Sequence, residues 1–319
     1  MDFRFQAISI SSRLLEIISR NKFSGSVTGV YTSAANFSFG KYLLTAADIS
    51  HKNVPYGFLC DFSKLTLKKV INVGDSVDID SDSLRISNRC FEVLFQSASI
   101  WSPEFRLPIE KKDIPVIRSH IGYIEQQLSQ RKNLDGLAPL IRYIPQILGN
   151  ISSANMHLGL FKQIAYDSLC LIVNSIRSQD KYALTRSMKK LTGLGVGLTP
   201  SGDDVLMGLF ATLSITMKGT NRDWLVNAYR NVLIQIRELT NEVSLSYLNA
   251  IRDGYFPERF SNFVSAIIRS GKPKDIYSPL EEMLQWGSTS GSEIILGILL
   301  GFSLSIENLN QGYLPDEEG

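Results

Sequence analysis

Two stretches of this chain repeat one another, and the repeat limits what its C-terminal part can fold into. Thr199–Phe210 reads TPSGDDVLMGLF, and Ser288–Leu299 reads STSGSEIILGIL. They align without a gap at an offset of 89, matching Ser201 with Ser290, Gly202 with Gly291, Asp204 with Glu293 and Gly208 with Gly297. Each copy opens one of the two longest charge-free apolar runs, Val205–Met217 and Ile294–Ile306. A helix that is apolar all round belongs in a core. Both runs fall short of the ~18 residues a membrane span needs, so no membrane segment is expected.

The repeat has a geometric consequence. Ser201, Asp204 and Gly208 stand at i, i+3 and i+7, on one helix face, and so do Ser290, Glu293 and Gly297. A glycine on that face lets another backbone approach. Two such helices packed through pseudo-symmetry would gather hydroxyls, helix N-terminal N–H groups and the carboxylates of Asp204 and Glu293 around one pocket, with Asp203 beside them. Helix N-termini bind anions, whereas carboxylates favour a proton or an amide donor. The combination suits a small anionic metabolite with an N–H donor at its other end.

The first copy follows a Gly-rich turn, Gly193-Leu194-Gly195-Val196-Gly197-Leu198. Gly195, Gly197, Thr199, Ser201 and Gly202 are the expected cradle there, with Ser288, Thr289, Ser290 and Gly291 in the second copy. Thr199 suits an N-cap and Pro200 the first helical position. The turn is neither a Walker A loop nor a dinucleotide-binding fingerprint, since GxxxxGK[ST] is absent and no strand precedes the glycines. Thr240, Ser244 and Tyr247 follow a helical spacing further on, where hydroxyls could line the same cavity. No metal or cofactor is expected, because no histidine accompanies the acids. His51, His120 and His157 are isolated, each a surface or internally satisfied histidine. The competing reading makes the glycines a tight turn, the acids partners of the helix dipoles, and the repeated helices packing devices.

Upstream the pattern differs. Short runs rich in Val, Thr and aromatics, Ser26–Thr32, Phe37–Thr45, Tyr56–Cys60, Leu65–Ile71, Ser76–Ile79, Leu84–Ser87 and Cys90–Phe95, predict strands after a helix at Ser12–Arg20. From Pro115 onward helical periodicity takes over, including one long helix over Asp223–Ala250. The expected class is α+β: a β-rich barrel or sandwich domain over 1–115, then a larger all-α domain over 116–319. A length of 319 residues accommodates both.

Charge narrows the function. Lys plus Arg is 33 against 31 acids, a net +2, which leaves no broad basic face for nucleic acid. The three cysteines, Cys60, Cys90 and Cys170, form no CxxC pair and read as buried reduced thiols. Met1–Gly25 carries interspersed charge and no signal-type apolar core, so a cytoplasmic location is expected.

Gly193–Asp204, with Gly287–Gly291, Thr240, Ser244 and the Ala250…Gly254 helix ending, resembles a bacterial family marked by G-L-G-x-G-L-T-P-S-G-D-D. The resemblance extends to Gly25–Val30 and Asn36 and so covers most of the chain. The family includes the AllH-type subunit of oxamate carbamoyltransferase, often encoded beside FdrA-like proteins in purine and ureide catabolism. It implies carbamoyl transfer between oxalurate with phosphate and oxamate with carbamoyl phosphate, in an assembly with FdrA-like and other subunits. Asp204, Glu293 and Asp203 would then be the catalytic acids. A non-catalytic metabolite-binding or scaffold subunit is the alternative. Val196 stands where the family has proline, which loosens the turn. The two-domain α/β transcarbamoylase fold with its Ser-Thr-Arg-Thr phosphate loop is not visible.

Overall fold

The computed structural model describes residues 3–63, 65–131 and 134–310. The outer ends of the two expected domains, 1–2 and 311–319, lie outside the described residues. The chain divides into two compact units, 1–104 with 255–259, and 105–254 with 260–319.

The first unit is a β-barrel. Its strands are β1 (Phe3–Ser11), β2 (Phe23–Val30), β3 (Ala34–Phe39), β4 (Tyr42–Asp48), β5 (Gly57–Cys60), β6 (Ser76–Ile79), β7 (Ser83–Ile86), β8 (Phe91–Leu94) and β9 (Ser99–Trp101), with helix α1 (Ser12–Ile18) after β1. The order is β5-β4-β3-β2-β6-β7-β8-β1, and β1 pairs back onto β5, Ala7 opposite Cys60 and Ile10 opposite Phe58, which closes the sheet. Closure removes the exposed edges that invite aggregation. The strands alternate, so Val27, Phe37, Phe58, Ile79, Leu84, Ile86 and Val93 fill one core. β1 and β9 were not legible as strands. β1 carries Arg4, Gln6 and the apolar Ile8 at its outward positions, and β9 is three residues long. Leu65–Ile71 is not a strand either; it holds a single 3₁₀ turn at Leu67–Lys69. Phe37–Thr45 turns at Gly40, whose φ of 62° splits it between β3 and β4. The segment 255–259 belongs to this unit: the Asn53 backbone and side-chain N–H groups donate to Glu258 Oε2 at 3.0 and 2.7 Å.

The second unit is helical: α2 (Ile114–Ser129), α3 (Ile144–Leu148), α4 (Gly159–Arg177), α5 (Lys181–Leu191), α6 (Ser201–Thr216), α7 (Gly219–Ile236), α8 (Glu242–Arg252), α9 (Glu258–Arg269, from Phe260 on), α10 (Tyr277–Leu284) and α11 (Ser290–Asn310). The long helix expected over Asp223–Ala250 is broken between Ile236 and Glu242. Asn241 is the reason: its side chain accepts from the Ser244 N–H at 3.0 Å and starts α8 as an N-cap.

The two repeated helices, α6 and α11, lie parallel at the centre. Thr199 Oγ1 meets Ser290 Oγ at 3.0 Å at one end, and Thr216 Oγ1 meets Ser305 Oγ at 2.7 Å at the other. Their contact is reciprocal. A Cβ on Gly208 would stand 2.1 Å from the Ile294 carbonyl oxygen, and one on Gly297 would stand 2.1 Å from that of Val205. The preceding helices repeat the arrangement. A Cβ on Gly202 would stand 1.9 Å from the Leu191 oxygen of α5, and one on Gly291 1.9 Å from the Met283 oxygen of α10. The second unit thus contains two copies of a helix hairpin, α5-α6 and α10-α11. α11 runs on to Asn310 and is long and apolar enough to cross a membrane, but 78% of that window is buried inside the protein, as in a core helix.

Gly297→Ala is expected to lower stability by about 1–3 kcal/mol in urea unfolding, because the methyl forces two backbones apart. Gly122→Ala, on α2 with nothing within 4 Å of the new carbon, is expected to raise it by up to about 1 kcal/mol.

Candidate functional site

Parallel packing puts the N-termini of α6 and α11 at the same end, and each carries about half a positive charge. Three carboxylates meet that charge. Asp203, Asp204 and Glu293 are 3%, 2% and 0% exposed. They do not share one environment.

Asp203 faces the Gly-rich turn and the break between α7 and α8. Its Oδ1 accepts from the Gly193 N–H at 2.9 Å, its Oδ2 accepts from the Thr240 hydroxyl, and the Ser244 hydroxyl lies beside it. Thr240 and Ser244 therefore reach Asp203 from the broken junction rather than along one helix. Burial pushes the Asp203 carboxyl above the ordinary carboxylate range, against the pull of these donors.

Asp204 turns towards α11. Its Oδ2 accepts from Thr199 Oγ1 at 2.9 Å, and Ser290 supplies a second hydroxyl. Thr199 is not the N-cap: Pro200 occupies that position, with Ser201 first in the helix, and the Thr199 side chain is spent on Asp204. Burial raises the Asp204 pKa well above its ordinary value; the neighbouring Glu293 and Asp203 carboxylates add to the rise, and the Ser290 and Thr199 hydroxyls oppose it.

Glu293 is held from a direction that sequence reasoning missed. Its Oε1 accepts from the Leu137 N–H at 2.9 Å. Gly136, at φ 61°, precedes that N–H, and a Cβ there would stand 2.0 Å from the same oxygen. The other oxygen, Glu293 Oε2, is buried and has no hydrogen-bond partner among the described residues. A buried acceptor without a donor costs about 1–3 kcal/mol. The only sequence signal for this contact was the Asp135-Gly136 pair, an ordinary turn signature.

Ser201 is buried with its hydroxyl 3.5 Å from the Cβ position of Gly136, and its N and Oγ crowd Gly195, whose φ is 116°. Gly202 and Gly291 donate their N–H groups to Leu194 O and Trp286 O, both at 2.8 Å. Thr289 O accepts from Ser292 Oγ at 2.7 Å, which fixes the start of α11. Gly197 and Ser288 are exposed. Tyr247 packs edge-on against Trp286.

The remaining reactive side chains lie elsewhere. His120 is buried and donates Nδ1–H to Ile267 O at 2.7 Å, and His51 Nε2 meets Ser33 Oγ at 2.8 Å. Among the described residues no group of three His, Cys, Asp or Glu is arranged to hold a metal ion. Cys60 and Cys170 are buried, with their thiols pushed up to about 12 and about 11 by burial. Cys90, expected to be buried, is exposed: it follows a 3₁₀ turn in the left-handed region, outside the barrel core.

A raised carboxylate pKa favours the folded state at low pH. That contribution is complete below the unfolded value, about 3.9, and is lost as pH rises through the folded value. Asp204→Asn is therefore expected to unfold at higher urea than the wild type at neutral pH, with the gap closing as pH falls towards 4. Urea midpoints across that pH range check this, and a gap independent of pH would contradict it.

Two family models match the chain: one described as oxamate carbamoyltransferase subunit AllH over residues 191–302, and one described as the AllH family N-terminal domain over residues 6–100. No solved structure matches it.

Proposed function

The chain belongs to the AllH family, and from that premise we propose that it works as a subunit of an oxamate carbamoyltransferase, with the paired helix starts as its substrate site. The reaction class is carbamoyl transfer between oxalurate with phosphate and oxamate with carbamoyl phosphate. Other subunits of such a complex, FdrA-like proteins among them, are its partners, and the setting is the breakdown of allantoin and related ureides in the cytoplasm.

The observation that carries the reading is Glu293 Oε2, a buried carboxylate oxygen with no donor among the described residues, next to the Asp204 carboxyl with its raised pKa. A carbamoyl NH2 supplies the donor that Oε2 lacks. The substrates' anionic groups are drawn by the two parallel helix N-termini, beside the rim formed by Gly195, Gly197 and Thr199. The bound N–H groups of Gly202 and Gly291 act through the helix field rather than by direct contact.

The proton balance suits a buried acid. Phosphate attacks the carbamoyl carbon of oxalurate, the bond from that carbon to the oxamate nitrogen breaks, and the nitrogen must gain one proton. Asp204 in its protonated form donates it, and hydrogen phosphate, which loses one as its oxygen is carbamoylated, restores it. Glu293 orients the carbamoyl group throughout. Asp203, whose two oxygens are bound to Gly193 and Thr240, holds the Gly-rich turn in place and acts as a positioning residue.

In the reconstituted complex, Asp204→Asn and Glu293→Gln are each expected to lower carbamoyl transfer by about 10²–10⁴-fold, with the circular dichroism of the isolated chain unchanged. Wild-type turnover in both variants would favour a scaffold or metabolite-binding subunit instead.

A further inference from the structure

A cavity of about 450 Å³ lies between α2 and the segment that follows it, and its described lining includes neither Asp204 nor Glu293. Leu128, Leu134, Ala138, Ile141 and Pro145 give it apolar walls, and two charged side chains of opposite sign reach it: Glu125 from α2 and Arg142 from the turn before α3. Glu125 is half-buried, Arg142 is exposed at the mouth, and neither forms an ion pair or a hydrogen bond with a described residue. Two opposite charges on one cavity that do not pair with each other leave an acceptor and a cation free for a ligand. The half-buried carboxyl is pushed above its ordinary value by burial, with no cation among the described residues offsetting it.

The cavity wall also contacts the catalytic end of the unit through the chain itself. Leu134 and Ala138 line the cavity, and between them lie Gly136 and Leu137, the pair that holds Glu293 Oε1. An occupant that shifts this five-residue stretch shifts the Leu137 N–H on which the Glu293 orientation depends.

We propose that this cavity is a regulatory site for a small carboxylate bearing N–H donors at its far end, with Arg142 taking the carboxylate and Glu125 the N–H groups, and that its occupancy is transmitted to Glu293 through Gly136 and Leu137. The site is separate from the paired helix starts. Its ligand binding stands whether or not those starts perform carbamoyl transfer.

Calorimetry of the full chain with N-carbamoylglycine as probe tests it, with hydrogen exchange at the Leu137 amide read in the same samples. The expected result is saturable binding that Glu125→Gln and Arg142→Ala each weaken at least tenfold, and that alters Leu137 exchange at saturation. Both cavity substitutions lie at or near the surface, and circular dichroism verifies their fold. Absence of binding, wild-type affinity in both cavity variants, or unaltered Leu137 exchange would each overturn the proposal.

Discussion

The backbone contact between α6 and α11 sets the terms for the rest of the helical unit. Gly208 against Ile294 O and Gly297 against Val205 O are the two halves of one reciprocal contact, and a single Cβ on either side would forbid it. Side chains cannot fill so narrow a gap, so the pair is held by van der Waals contact between main chains and by the hydroxyl pair Thr216–Ser305. The hydroxyl pairs at the two ends, Thr199–Ser290 and Thr216–Ser305, show the two helices parallel and in register. Parallel helices in register must begin together, and two N-termini beginning together concentrate positive charge in a buried place. The carboxylates of Asp203, Asp204 and Glu293 answer that charge, and burial raises Asp203 above its ordinary value and Asp204 well above it. The chemistry available to the site therefore descends from a steric fact in the middle of the helices.

Part of this was legible in the sequence. The gapless repeat predicted two core helices with a serine, an acid and a glycine on one face, and the structure places Ser201 with Ser290 and Asp204 with Glu293 at one end of the pair. The barrel was legible from short alternating runs between turn residues. What the sequence hid depends on contacts between distant segments. Asp203 and Asp204 are adjacent and chemically identical, yet the helix turns them about 100° apart, one to the Gly-rich turn and one to α11. The grip of Leu137 on Glu293 spans 156 residues, and nothing local marks it beyond a glycine in a turn. The break after Ile236 was hidden because the apolar spacing continues across it, while the capping side chain of Asn241 overrides that spacing.

The division of labour among the acids follows from which lone pairs are already occupied. Asp203 has a partner on each oxygen, so removing it would release the Gly-rich turn and the α7–α8 junction together. Asp204 accepts only from hydroxyls, which can rotate to donate to either protonation state. Glu293 has one oxygen fixed by main chain and the other without a donor, an arrangement that holds a carboxylate rigid while leaving it a hydrogen bond to make. Buried polar groups are satisfied in the great majority of folded proteins, so this unfilled acceptor is the site's clearest chemical signature.

The central claim is that Asp204 and Glu293 form one buried pair across the two helix starts. The titration of the Asp204 carboxyl, followed by carboxyl-carbon NMR in the wild type and in Glu293→Gln, tests it most directly. The account predicts that removing the Glu293 charge lowers the Asp204 pKa towards the ordinary carboxylate range, since a like charge nearby helps to hold it up. An Asp204 titration that is the same in both proteins would show that the two acids do not sense one another, and would contradict the account.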